Sequence, residues 1–438
     1  MRPGARPPVS TTRWERALYV ALGAGAFVTV AVLGGTRLGR AFAHGSPVAV
    51  GLTALFLGAL AVRLVLWLRY RPTARPPDDA LPALTVVIPA FNEGAMVADT
   101  IAHVLAADYP AERLAVIAVD DGSTDDTFTH IQRAARAHPG RVTVVRLPEN
   151  RGKRHALYAG FRLAESPLVA TIDSDSLVAP DGLANLVAPF VADPRVGGVA
   201  GRVLVLNRRE SLITRMLGVR YIIGFDFIRA YQSELDTVWC CPGALQAYRR
   251  EAIAPHLEAW RDQRFLGAVC TNGDDHAMSN LVLSLGYKTV YQASAQVETV
   301  VPATYVGLSK MYLRWGRSAT REGLRALRFA PRRALALGPV RGPLMLLDAV
   351  LQPLTIALRI AGLFAGSFLF VVHPHALLGA LGATAGFALL YALVYLRSER
   401  SAEVVFGVLY AYFALFALPW IQPYATLTVR RNGWLTRK

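Results

Sequence analysis

Lysine is almost missing from this chain: Lys153, Lys288, Lys310 and Lys438 are its only four in 438 residues. Arginine therefore carries nearly all of the basic side of a formal net charge of +16. Cysteine is scarce too, and Cys240, Cys241 and Cys270 show neither zinc-ligand spacing nor a disulfide framework. Adjacent Cys240 and Cys241 fit a reducing compartment better than a redox centre. The sequence holds no internal repeat and no nucleic-acid-binding motif. The basic excess thus points to anionic lipid headgroups and phosphates, and no nucleic-acid partner is expected.

What the chain has in quantity is apolar length. Hydrophobic residues make up 53% of it, which is high for a soluble protein. Two runs, 17–33 and 47–67, lie near the start, each close to the ~20 residues that cross ~30 Å of hydrocarbon. A second run so close to the first argues for a two-helix hairpin over a cleaved signal peptide. Arginines are denser before the first run and after the second than between them, which puts both flanks in the cytoplasm. Arg63, near the inner end of the second run, reads as a snorkelling side chain without a function. Three further apolar stretches cover 344–372, 376–396 and 404–421, the last interrupted around Pro419 and Pro423. Five full crossings would strand the basic tail RRNGWLTRK outside, so one stretch is expected to be re-entrant or interfacial. Asp348 and Arg359 share a helix face about 16 Å apart, too far to pair. They read equally as helix-end groups and as the lining of a polar path.

Between the membrane parts, a proline-rich linker (72–82) leads into an alternating pattern. Strands are expected at 84–88, 114–119, 142–146 and 168–172, and helices at 93–106, 125–137 and 153–164. Such alternation gives a mostly parallel sheet covered on both faces, with ligands bound outside the carboxyl ends of its strands. Asp120, Asp121, Asp173 and Asp175 all fall at those ends.

Four strings carry chemistry: VDDGSTDD at 119–126, IDSDS at 172–176, NGDDHAMS at 272–279 and LRWGRS at 313–318. Each has a plainer use. Acids after a strand start turns and cap helices, Asp-x-Asp arises often by chance, and Asp274 and Asp275 suit the first turn of a helix. NRGKRHAL at 150–157 would pass for a solvated basic loop. Yet it places one of the few lysines where arginine is the habit, and an ammonium meets a phosphate differently from a guanidinium. On a helix over 308–329, Arg314, Arg317, Arg321, Arg325 and Arg328 share one face, and Leu308, Met311, Tyr312, Trp315 and Ala319 share another. That pattern alone describes an interfacial amphipathic helix.

Taken together, the strings resemble a membrane-embedded family 2 processive glycosyltransferase of the hyaluronan synthase and chitooligosaccharide synthase group, over residues 84–438. The resemblance implies an α/β GT-A-type domain with a mostly parallel sheet, inserted between transmembrane helices. The implied organisation is an N-terminal transmembrane hairpin (1–71), the linker (72–82), a cytoplasmic catalytic domain (83–306), an interfacial amphipathic helix with the Arg-Trp motif (307–340) and a C-terminal membrane and channel region with a cytoplasmic tail (341–438). In the nucleotide pocket Asp121 would read the uracil edge, the Asp120 region would shape the uridine pocket, and Lys153 and Asp173 would lie against the donor. Asp175, with Asp173, would hold Mg²⁺ or Mn²⁺. The Gly-Asp-Asp string puts the general base on Asp275, next to Asp274. Arg314 would bind the pyrophosphate, and Trp315 would stack on the acceptor sugar.

Several positions depart from the pattern. Gly243 matches the acceptor-side segment, but Ala244 stands where proline is usual. Met311 takes the place of a glutamine on the acceptor side, and His276 the place of an arginine. In the tail, Gln422, Pro423, Trp434, Thr436 and Arg437 match, while Leu435 replaces a glycine. The implied activity is inverting, metal-dependent and processive β-glycosyl transfer from UDP-sugars: UDP-N-acetylglucosamine, with UDP-glucuronic acid as in hyaluronan synthases. The polysaccharide would cross the plasma (inner) membrane through the enzyme's own helices, among membrane lipids. Two rivals stay open: a non-processive lipid glycosyltransferase sharing Asp121 and Asp175, and a degenerate, non-catalytic scaffold.

Overall fold

The strand expected first, β1 (Leu84–Ala90), is buried at all seven positions, as an apolar run between two helix layers requires. The structure is a computed structural model that describes residues 47–373 and 376–431. The first apolar run (17–33) and the tail positions Trp434, Leu435, Thr436 and Arg437 lie outside the described residues.

Around β1, β2 (Leu114–Asp120), β3 (Val142–Arg146) and β4 (Leu168–Thr171) form a parallel group. The helices Met96–Leu105, Thr127–Ala137 and Lys153–Leu163 connect them, close to the expected bounds. The sheet then continues beyond the sequence reading. It adds β5 (Ser176–Val178), β6 (Val196–Val205), β7 (Gln246–Arg249) and, after a separate hairpin of β8 (Arg264–Phe265) and β9 (Ala268–Val269), β10 (Lys288–Thr299). The order across all eight strands is β3-β2-β1-β4-β7-β6-β10-β5. β7 runs antiparallel to both β4 and β6, and β10 runs parallel to β6. The proline-rich linker is docked rather than free. Gln292 of β10 accepts from Thr73 N at 3.0 Å and donates to its carbonyl at 2.7 Å.

Beyond the sheet, one helical trace runs from Tyr305 to Val372 and breaks at Gly338, where φ is 80°. The cause is local. Pro339 follows, disfavouring helical geometry in the residue before it, and glycine accepts the positive φ without a Cβ clash. Among the described residues two helices are long and apolar enough to cross a membrane, Tyr305–Phe368 and Leu377–Ser398. A third, Val404–Ala417 with Ile421–Leu427, is bent by 53° and is a broken span or a re-entrant turn.

On the helix after Tyr305, Arg317 and Arg321 are buried, Arg317 on Thr428 and Arg321 on Asn272, while Arg328 is exposed. The reading of Arg63 as a snorkelling side chain without a function is corrected. Arg63 pairs with Asp348 at 2.8 Å, and the buried carboxylate also accepts from Tyr231, Trp239 and Gln232 at 3.0, 3.0 and 3.3 Å.

Candidate active site

Asp120 closes β2 fully buried, accepting from Ser123 N at 3.2 Å with Arg146 Nε 3.3 Å away. The next residue leaves the sheet. Asp121 accepts from the amides of Arg151 at 3.0 Å and Gly152 at 2.8 Å, so it organises the NRGK loop. Gly122 permits this with φ of 71°, since a Cβ there would lie 2.6 Å from the Glu149 carbonyl carbon. Burial pushes the Asp121 carboxyl up to about 6, against the pull of the two amides. A carboxylate has about four lone-pair sites, so the amides leave capacity for a further N–H.

Lys153, the first residue of its helix, sits where the acidic strings converge. Its ammonium is ion-paired to Asp173 and lies 3.9 Å from Asp274 Oδ2. Burial pulls its pKa down, but Asp173 and Asp274 outweigh that and hold it above the ordinary lysine value. Gly243 is pressed against this pair: a Cβ would come within 2.7 Å of Lys153 Nζ and 3.5 Å of Asp173 Oδ1. Asp175 accepts from Ser176 and Thr299 hydroxyls, each at 3.2 Å. Burial first, then the charge of Asp173, pushes Asp175 up to about 6.

Asp274 and Asp275 open the helix Asp274–Ser284 behind Gly273, whose φ is 70°. Asp274 Oδ2 is buried without a hydrogen bond. Asp275 is pushed above the usual carboxylate range by burial and by Asp274, which suits a proton acceptor. Among the described residues no three His, Cys, Asp or Glu side chains gather into a closed metal site. Asp173 and Asp175 in the turn after β4 are instead two carboxylates spaced two residues apart, with the Lys153 ammonium on Asp173. That donor set fits a hard cation that completes its shell with phosphate oxygens and water.

The Arg-Trp helix lies against these groups. The Trp315 ring is 5.5 Å from that of Tyr312 and 6.2 Å from that of Tyr221, and it keeps 42% of its surface exposed. The Tyr221 hydroxyl lies in the fields of Arg314, Asp175 and Asp173. Tyr221 escaped the sequence reading because no motif surrounds it. Met311, expected on the acceptor side, is buried at 5% exposure in the main core.

The residues trailing the motif brace the segment that leads into Asp274 and Asp275. Arg321 donates to the Asn272 carbonyl at 2.5 Å and to Glu322 at 3.0 Å. Glu322 also accepts from Gln263 and Asn280, each at 3.2 Å. Arg154, 1% exposed, completes the set through Gln263 at 2.7 Å and Asn272 O at 3.3 Å.

A mostly parallel sheet with carboxylates at its carboxyl edge, a buried lysine among them and an arginine-bearing helix alongside defines a nucleotide-sugar transferase of the GT-A type. The sequence model described as "Glycosyltransferase like family 2" matches residues 82–318. An N-acetylglucosaminyltransferase of Rhizobium meliloti (strain 1021) is 31% identical over 90% of this chain and 91% of its own length. A hyaluronan synthase of Streptococcus pyogenes is 31% identical over 86% of this chain and 88% of its own. Among solved structures, a mannosyltransferase from Pyrobaculum calidifontis in complex with GDP-Man and Mn²⁺ aligns with a TM-score of 0.50 and 23% identity, over 87% of this chain and all of its own. The chain belongs to glycosyltransferase family 2 and is related to proteins named N-acetylglucosaminyltransferase and hyaluronan synthase.

Proposed function

We propose that this glycosyltransferase is an inverting, metal-dependent, processive β-transferase that polymerises UDP-sugars from the cytoplasmic side of the plasma (inner) membrane. UDP-N-acetylglucosamine is the principal donor, with UDP-glucuronic acid as second donor. The observation that carries this reading is Lys153 held between Asp173 and Asp274, which joins the donor acids to the base within one side chain's reach. The names of the two curated relatives support the donor class. The GDP-Man and Mn²⁺ of the solved mannosyltransferase agree with a metal at the diphosphate.

In this reading Asp175 and Asp173 hold Mg²⁺ or Mn²⁺, which when bound offsets charge on the departing diphosphate. Lys153 and Arg314 bind the same diphosphate, the guanidinium in bidentate fashion. Asp121 takes an N–H of the base edge, and Asp120 fixes the turn beneath it. Asp275 accepts the proton of the acceptor hydroxyl as that oxygen bonds to the anomeric carbon. The bond from that carbon to the UDP oxygen breaks on the opposite face, so the configuration inverts. Asp274 keeps the proton affinity of Asp275 high. Trp315 stacks on the acceptor sugar, with Gly243 bordering it and Met311 one turn behind the indole.

A cavity of about 350 Å³ continues from Cys240 and His276 past Asp348 to Gln352, Thr355 and Arg359 on the membrane-directed helix. Its polar lining groups Arg229, Gln232, Asp348, Gln352, Thr355 and Arg359 favour a growing polysaccharide over a single lipid acceptor. The test is the purified protein in nanodiscs with each donor and with both, in Mg²⁺ or Mn²⁺. The expected result is UDP release with a polymer ladder. No UDP release from either donor, alone or mixed, sinks the proposal, and a single extractable glycolipid replaces it with the lipid-acceptor rival.

A further inference from the structure

Just after Tyr221 the chain leaves ordinary α-helical geometry. Residues Ile223–Arg229 form a π-helical stretch, a rare form that is frequent at functional sites. Ile223 and Phe227 share an apolar cluster with Leu390 and Val394 of the helix Ala376–Ser398. Ile228, Arg229 and Gln232, from the end of the same stretch and the turn after it, border the cavity described above. Arg229 also donates to the Cys240 carbonyl at 3.1 Å, three residues before Gly243. The stretch is thus a wall between the cavity and a C-terminal apolar helix.

One carboxylate fixes that wall. Asp226, in the middle of the stretch, accepts from Arg202 Nε at 2.9 Å and Nη2 at 2.6 Å, and from the Tyr291 hydroxyl at 2.8 Å. Arg202 Nη2 also reaches Glu399 at 3.1 Å. Glu399 and Glu403 lie in the turn between the helices Ala376–Ser398 and Val404–Ala417. Glu403 pairs with Arg208 at 2.5 Å, and Arg208 also donates to the Tyr395 hydroxyl. On the far side, the Tyr291 ring lies 5.5 Å from that of Tyr70, which follows the helix Pro47–Arg69 and donates to the Tyr291 carbonyl at 2.9 Å. Apolar helices packed on a sheet can slide, whereas a bidentate arginine on a carboxylate sets direction as well as distance. Glu399 and Glu403 are a quarter exposed, so their pairs add little to stability. Their effect is on alignment.

We propose that Glu399 and Glu403 are positioning residues for chain elongation. Through Arg202 and Arg208 they hold the wall at Ile223–Arg229 in line with the acceptor side of the site, so that the growing glycan is retained between successive transfers. This rests on the polymerising function proposed above. The test uses the full chain in nanodiscs with both donors and reads polymer length, with UDP affinity by calorimetry as the control. The double variant Glu399→Gln/Glu403→Gln should shorten the polymer by about tenfold, the weight of one lost charge-assisted hydrogen bond on chain retention. UDP affinity should stay within about twofold of wild type, because neither carboxylate touches the donor acids. Arg208→Ala should shorten the polymer as well, and Arg208→Lys, which keeps the charge facing Glu403, should recover most of the length. Wild-type length in the double variant overturns the proposal. Equal shortening in the alanine and lysine variants overturns it too, by marking a packing role, and so does a parallel loss of UDP affinity and length, by marking a general loss of fold. Failure of the polymerising function reads out in the wild type alone, as absence of polymer, and overturns both.

Discussion

The guanidinium of Arg63 meets the carboxylate of Asp348 at 2.8 Å, across 285 positions of sequence. It joins the helix Pro47–Arg69 to the helical segment beyond Gly338, beside the cavity. A carboxylate this buried stands only because its charge is paired and its lone pairs are filled. Asp348→Ala strands Tyr231, Trp239 and Gln232 as well as Arg63, and should cost about 3–5 kcal/mol. The measurement is thermal unfolding in detergent, with Arg63→Ala and the double variant completing a cycle. Strictly additive losses would show that the two side chains do not interact.

Asp275→Asn should cut transfer by about 10²–10⁴-fold, the usual weight of a general base, with UDP affinity nearly intact. Asp175→Asn should act on the other half of the site and weaken UDP binding in the presence of Mg²⁺ or Mn²⁺. Calorimetry with and without chelator separates the two. Near-normal turnover in Asp275→Asn removes it from the base role, and chelator-insensitive UDP binding removes Asp175 from the metal.

The Asp121 carboxyl, raised by burial to about 6, should give donor binding a pH dependence if it takes the proposed contact to the base edge. Above that value the ionised group accepts from Arg151 and Gly152 amides, and below it a proton occupies one oxygen. UDP affinity should therefore fall as pH drops from 7 to 5. The stability term has the opposite sign. Because the folded value is raised, the native state binds the proton more tightly, and this group's contribution declines as pH rises from about 4 to 6. Flat UDP affinity across that window would mean that Asp121 does not ionise where burial places it.

Gly273→Ala should abolish activity without removing any catalytic group. Its φ of 70° disfavours a Cβ, and that Cβ would lie 2.0 Å from Ser318 Oγ. Either the loop or the Arg-Trp helix must move, and the base moves with it. Unchanged turnover would show that Asp275 tolerates displacement.

The first half of the sheet was legible because β1, β2 and β4 are apolar runs, β2 and β4 leading into acids, with amphipathic helices between. The second half was not. β7 has four residues and runs against its neighbours, and β6 opens on glycines whose missing Cβ atoms make room for Tyr287, Tyr248 and Leu245. Periodicity correctly grouped Arg317 with Arg321, and Met311 with Trp315, but a helix pattern says which residues share a face and not what that face meets. Here Arg321 meets the Asn272 loop and Arg317 meets Thr428, and Met311 meets the core. Arg63 and Asp348 lay beyond any local pattern, each an isolated charge in an apolar run.

The brace around Glu322 has an evolutionary consequence. Arg154, Gln263, Asn272, Asn280, Arg321 and Glu322 come from four separate stretches of sequence, yet each satisfies a buried polar atom of another. A change at one leaves its neighbours unpaired, so the penalties do not add independently. These six positions would be inherited as a block, drifting together between lineages or not at all, while the exposed residues around them vary freely.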